Sequence, residues 1–343
     1  MIRVLIAAAV GLTISLIIGP RFIEFLRRNE FGQHIREEGP QHHIAKQGTP
    51  TMGGLLILFA ATIAFLVGSV SHFRLQALTV LFTALACGGI GFLDDFIKLT
   101  HQRSLGLSGR WKLLLLAGVT VVVAVVARHL HLSTDVYIPV VDVTVPLSYG
   151  WYLFLFFVIA GAANGTNLAD GVDGLLAGTG IIALFTFMAM NVVSYVRSGP
   201  AGHRNLTKLE LAIIGAALIG AAVGFLWFNA FPAEVIMGDT GSMAFGGALA
   251  AFAIMMKVEV LLLLIGGIFV IEALSVMIQV FSFKRFGRRV FLMAPIHHHF
   301  EMKAWSETKI TVRFWIIAGL LCALGFALYY RYYFGQLPKL VHG

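Results

Sequence analysis

Charge is scarce in this chain. Asp, Glu, Lys and Arg make up 12% of its 343 residues and hydrophobic residues 58%, whereas a soluble domain is roughly a quarter charged. With a mean hydropathy of +0.87, this composition excludes a cytosolic enzyme and predicts an all-α polytopic membrane protein. No polar stretch is long enough to form a second domain, so residues 1–343 read as one integral membrane unit. Cysteine is nearly absent as well. Cys87 and Cys322 both lie inside apolar runs, which argues against a disulfide framework or a Cys-based metal site. The opening run VLIAAAVGLTISLII has no small-residue cleavage site and continues into GPRFIEFLRR. It reads as a first spanning helix rather than a removable leader.

The apolar runs dominate what remains. A span needs roughly 17–25 mostly apolar residues, and ten segments qualify, near 3–20, 52–71, 76–94, 112–128, 148–164, 175–195, 210–231, 242–256, 258–283 and 313–333. Between the fourth and fifth, VYIPVVDVTVPL breaks at Pro139 and Pro146, a pattern that predicts a small β-hairpin near 136–147 on the membrane surface. Ten spans place both termini on one side. Lys and Arg concentrate in the first loop (Arg21 to Lys46), the third (Lys98 to Lys112) and the ninth (Lys284 to Arg313), and the fifth and seventh loops have none. The positive-inside rule therefore puts the odd loops in the cytoplasm and both termini and the hairpin outside. Arg197, Arg204 and Lys208 crowd one outer loop against this trend. The net charge of +8 expresses topology, and no nucleic-acid partner is expected.

Acids are rarer still, and their placement is informative. Five of the seven aspartates, Asp94, Asp95, Asp170, Asp173 and Asp239, fall at odd-loop helix ends. GFLDDFIK (91–98) sets two like charges side by side, with Lys98 one turn after Asp94. NGTNLADGVDGL (164–175) interleaves Asn164, Asn167, Asp170 and Asp173 with glycines, so one helical turn could bring the last three to a common edge; an Asx-rich turn would give the same spacing. In FNAFPAEVIMGDTGSMAFGG (228–247) Pro232 interrupts a helix and Thr240 or Ser242 can cap the next, leaving Asp239 at its mouth. Magnesium is commonly held by one or two carboxylates plus phosphates and water. Asp239 suits that role, with Asp94 or Asp95 as second ligand or base. KQGTPTMGG (46–54) either offers backbone N–H groups to an anion or forms an ordinary turn. The ninth loop carries His297, His298 and His299. Adjacent histidines fan around a helix, so they suit hydrogen bonding to phosphate, sugar or a carboxylate better than a three-His zinc site. Lys284, Arg285, Arg288 and Arg289 suit the same anions or lipid headgroups. Glu272, mid-helix with Gln279 seven residues on, is either functional or an interhelical hydrogen bond.

In this order and spacing GTPTMGG, GFLDDFIK, NGTNLADGVDGL, MGDTGS and APIHHHFE resemble the phospho-N-acetylmuramoyl-pentapeptide transferases, a bacterial branch of the polyprenyl-phosphate N-acetylhexosamine-1-phosphate transferases. The likeness spans the whole chain. GTPTMGG and APIHHHFE point to this branch rather than to the GlcNAc-1-phosphate transferases, which are the alternative. It implies Mg²⁺-dependent transfer of phospho-MurNAc-pentapeptide from UDP-MurNAc-pentapeptide to undecaprenyl phosphate, giving lipid I and UMP, the first membrane step of peptidoglycan synthesis. It also implies ten spans in the bacterial inner membrane, periplasmic termini, a cytoplasmic active site and a homodimer. On the same basis Asp239 takes Mg²⁺, Asp94 is base or orienter for the lipid phosphate with Asp95 beside it, and Lys98 binds phosphate. Lys46, Thr51, Asn164, Asn167, Asp170, Asp173 and Asn229 line the nucleotide site. His297, His298 and His299 meet the sugar or diphosphate, His298 among the catalytic groups. Where many relatives have Phe, this chain has Ile236, which would remove a ring from the uracil. A covalent acyl-phosphate and direct attack by the lipid phosphate both fit the motifs; direct attack is the expected route. A secondary transporter would require internal repeats and broken helices at the bilayer centre, and a scaffold would have no use for five aspartates on one face.

Overall fold

Backbone amides in lipid must bond within their own segment, so apolar runs of this length fold as helices. The computed structural model describes residues 1–29, 48–70, 73–100, 106–200 and 203–333. Its helices are α1 (Ile2–Arg28), α2 (Gly54–Ser69), α3 (Leu75–Thr100), α4 (Gly109–His129), α5 (Gly150–Ala169), α6 (Leu175–Arg197), α7 (Leu206–Asn229), α8 (Gly238–Met256), α9 (Glu259–Ile265), α10 (Gly267–Phe286), α11 (Ile296–Glu301) and α12 (Glu307–Leu328). Among the described residues nine helices are long and apolar enough to cross a membrane, and α2, with 16 residues, is a shorter apolar helix. The segment expected as a span at 52–71 is thus shorter than the nine long helices. The ninth, expected as a continuous 258–283, is broken between α9 and α10 at Gly266–Gly267, the pair of lowest helix propensity in that run.

The expected hairpin is present. Strands β1 (Asp135–Ile138) and β2 (Val143–Pro146) pair antiparallel, with Asp135 opposite Pro146 and Ile138 opposite Val143. The Tyr137 hydroxyl donates to Asp142 Oδ1 at 2.7 Å across the turn.

The bundle is organised around α8. It packs on α3 and α5 and also meets α2, α6 and α9, and every one of its residues is buried except Asp239. Small side chains make this possible, because they let helix backbones approach closely. A Cβ on Gly247 would come within 2.8 Å of Cys87, and one on Gly246 within 2.4 Å of the Ala162 carbonyl. Cys87 and Cys322 are both free and buried.

Candidate active site

The C-terminal ends of α3 and α5 and the N-terminal ends of α4 and α8 meet at one end of the bundle, and the charges gather there. Asp94, on α3, is 1% exposed. Its Oδ2 lies 2.6 Å from Lys98 Nζ and its Oδ1 lies 3.1 Å from Lys112 Nζ, and the Leu107 N–H donates to Oδ1 at 2.7 Å. Asp239, in the first turn of α8, receives both lysines at 3.0 Å on Oδ2 and Asn167 Nδ2 at 2.8 Å on Oδ1. Two lysines thus bridge two carboxylates that lie 145 positions apart in the chain. Lys112 was absent from the expected site and served only as a loop charge. Its signal was available: a cation in the first turn of a helix opposes the helix dipole, so another charge must hold it there.

Asp95 faces the other way. Its Oδ1 accepts from the Asp239 N–H at 3.1 Å, and its Oδ2 accepts from the Thr240 N–H at 2.9 Å and the Thr240 hydroxyl at 2.7 Å. The expectation that Thr240 or Ser242 caps α8 is not met. The helix starts at Gly238 behind Met237, with no side-chain cap of its own. Gly238 has φ +74°, and a Cβ there would lie 2.8 Å from Asp95 Oδ2 and 2.9 Å from Thr51 Oγ1. Only glycine satisfies both constraints.

Asn167, Asp170 and Asp173 do not share a helix edge. The α5 helix ends at Ala169, and the following turn closes at Gly174 with φ +71°. Asn167 reaches Asp239 and Ser242, and Asp173 accepts from the Ala233 N–H at 3.0 Å. Burial, together with the charges of Asp239 and Asp95, pushes the Asp170 carboxyl up to about 8. Asn229 accepts from the Gly174 N–H at 3.2 Å and donates to the Val235 carbonyl at 3.0 Å, bracing the turn from behind. Asn164 donates to its own helix at Ala160. In the 46–54 segment the Gly53 and Gly54 amides donate to the carbonyls of Ile236 and Met237, both at 2.9 Å, and the Ile236 amide donates to Pro50 at 2.7 Å. These glycine amides brace the start of α8, and Ile236 is buried against them. Lys46 lies outside the described residues.

The three histidines do not all fan apart: the His297 and His298 rings lie 4.1 Å apart, while His299 packs on Phe291. His297 Nδ1 lies 3.1 Å from Glu272 Oε1, His298 Nδ1 pairs with Glu301, and His299 Nδ1 accepts from the Leu292 N–H at 3.1 Å. His297 Nε2 points at Gly171, where a Cβ would come within 2.2 Å, so this histidine touches the 170–173 turn. Glu272 also accepts from the Ile296 N–H at 2.9 Å, and Gln279 accepts from the amides of Val290 and Phe291, each at 3.0 Å. The intramembrane carboxylate is thus an interhelical anchor, and one face of α10 holds the histidine segment in place.

Comparison with known proteins places this geometry. Residues 77–257 match glycosyl transferase family 4, and residues 46–58 match signature 1 of phospho-N-acetylmuramoyl-pentapeptide-transferase. Proteins of that name from Halalkalibacterium halodurans (47% identity over 93% of this chain and 95% of the relative), Rubrobacter xylanophilus (44%, 98% and 100%) and Bacillus subtilis (43%, 94% and 96%) are similar to it along nearly their whole length. The chain belongs to the phospho-N-acetylmuramoyl-pentapeptide-transferase family. It is accordingly a transferase of the glycosyl-1-phosphate class and a multi-pass membrane protein. The family's signature segment is the brace at the start of α8, and its transferase region runs from α3 through α8, so it includes both lysine-bridged carboxylates.

Asp94, Asp95 and Asp239 each offer an oxygen within 4.8 Å of the others. Such a set of hard oxygen donors fits a divalent cation like Mg²⁺, and two ammonium groups already neutralise Asp239. His297, His298 and Glu301 form a second close group, but Glu272 and Glu301 already engage its imidazoles.

Proposed function

We propose that this enzyme transfers phospho-MurNAc-pentapeptide from UDP-MurNAc-pentapeptide to undecaprenyl phosphate, releasing UMP and forming lipid I, at the cytoplasmic face of the bacterial inner membrane. The observation that carries this reading is the pair Asp94 and Asp239 bridged by Lys98 and Lys112. Two ammonium groups held by carboxylates at a helix-bundle end suit a site that must take two phosphate groups. The run of Lys and Arg in the odd loops supports placing this end in the cytoplasm, where a nucleotide donor is available.

An oxygen of the lipid phosphate attacks the phosphorus that carries the sugar. The bond from that phosphorus to the UMP oxygen breaks, and its electron pair leaves with UMP. In this reading Asp94 takes the remaining proton of the lipid phosphate, and Lys98 and Lys112 turn from their carboxylates to the phosphate oxygens. Asp239, oriented by Asn167, would hold Mg²⁺ with Asp94 beside it; the ion when bound supplies charge neutralisation for the diphosphate. Asn164, Asp170, Asp173, Asn229, Thr51 and Lys46 are assigned to the nucleotide side, and His297, His298 and His299 to the sugar and diphosphate.

The test is UMP release by detergent-solubilised protein with undecaprenyl phosphate and UDP-MurNAc-pentapeptide, with and without Mg²⁺. Mg²⁺-dependent release with formation of lipid I, lost in Asp239→Ala, is the expected result. A residual rate in Asp94→Asn would argue against an obligatory covalent intermediate there. Folded protein that consumes UDP-GlcNAc instead would overturn the donor assignment.

A further inference from the structure

The adjacent aspartates of α3 have different partners. Asp94 is matched by two ammonium groups, whereas Asp95, 4% exposed, is matched by the N-terminus of α8 through three hydrogen bonds. The salt bridges of Lys98 and Lys112 go to Asp94 and Asp239. The first amides of any helix have no intrahelical acceptor. In α8 those of Asp239 and Thr240 are taken by Asp95. One turn before Asp95, Gly91 lets α3 lie against the α8 backbone, since a Cβ there would come within 2.0 Å of the Asp239 carbonyl.

We propose that Asp95 is a positioning residue, neither metal ligand nor base: a cap supplied by α3 to α8 that fixes the direction in which Asp239 presents its carboxylate. The cap sits on the amide of Asp239 itself, so backbone and side chain of that residue are oriented by separate partners. The cap stands on geometry alone; its consequence for the reaction rests on the function proposed above.

The experiment compares the full-length parent with Asp95→Asn, Asp95→Ala and Asp239→Asn in detergent. Hydrogen–deuterium exchange of the metal-free protein is read over residues 237–243, and Mn²⁺ binding by electron paramagnetic resonance. Losing a cap of this kind is worth about tenfold in a local equilibrium. Asp95→Ala is therefore expected to speed exchange across Asp239 and Thr240 about tenfold and to weaken Mn²⁺ binding by a similar factor. Asp95→Asn keeps one acceptor and should fall between parent and Ala in both readouts. Asp239→Asn should leave exchange as in the parent while abolishing Mn²⁺ binding. If Asp95→Asn abolished Mn²⁺ binding with α8 still protected, Asp95 would be a ligand and the proposal would fail. Unchanged exchange in Asp95→Ala, or in Asp95→Asn if the Ala variant does not fold, would also overturn it. A parent that binds no Mn²⁺ would sink the metal reading, and exchange alone would then decide the cap.

Discussion

At one end of α8 Asp239 shares two lysines with Asp94 and is the one residue of the helix that is not buried. At the other end, Lys257 and Glu259 are 5% and 3% exposed. There Lys257 Nζ donates to Glu259 Oε1 at 2.8 Å, Trp151 Nε1 donates to the same oxygen at 3.3 Å, and the indole ring lies 4.3 Å from the ammonium. This second cluster is closed, with one cation, one anion and an aromatic ring, and it leaves nothing for a ligand to do. The first is open, because each cation divides its attention between two anions and can be redirected to a phosphate. A buried pair with all its partners in place is a structural element, while one that shares partners at a surface is a site.

Mutating each end should separate these roles. Asp239→Ala is expected to lower UMP release by about 10³-fold or more while the melting temperature stays close to the parent's. Glu259→Ala strands a buried ammonium and should cost about 3–5 kcal/mol of stability, with the rate per folded molecule preserved. A catalytic loss in folded Glu259→Ala would dissolve the contrast. The double variant Lys257→Met/Glu259→Leu removes both charges and should recover most of that stability, as read by thermal melts. Lys112→Ala should slow turnover by about 10²-fold through loss of a charge-assisted contact, and a wild-type rate would remove Lys112 from the site.

A pH series sharpens the open end. The Asp170 carboxyl is raised from 3.8 to about 8, so the folded state holds a proton that the unfolded chain releases. Its contribution to stability is greatest below pH 3.8 and declines as pH rises towards 8. In metal-free protein the melting temperature should fall less over that window in Asp170→Asn than in the parent. The smallest effect belongs to Trp151→Phe at the closed end, where one hydrogen bond is lost at a cost of about 1 kcal/mol.

Much of this arrangement was legible in the sequence. Uninterrupted apolar runs can fold only as helices in lipid, and Pro139 and Pro146 framed the hairpin. The aspartate motifs brought Asp94, Asp239, Lys98 and Asn167 to one end of the bundle, where they do meet. What was hidden depends on direction. Neighbouring residues on a helix point about 100° apart, so the pair Asp94 and Asp95 could not reveal which faced a lysine and which a helix terminus. The 167–173 spacing suits a helix edge and a turn equally, and only the end of α5 at Ala169 decides for the turn. Gly266 and Gly267 broke a run that hydropathy alone reads as unbroken. In the sequence Lys112 is one loop charge among several, whereas in the fold its ammonium reaches Asp94 and Asp239.

The seclusion of α8 has a consequence for how the protein is made. Of the nine long helices it is the least apolar, rich in glycine and alanine, and poorly suited to dwell alone among lipid tails. Ribosomal synthesis delivers α2, α3, α5 and α6 first, and they offer the slot that α8 fills. The helix that carries Asp239 is therefore received by protein rather than by lipid, and the chemistry of the site comes into being only as the bundle closes around it.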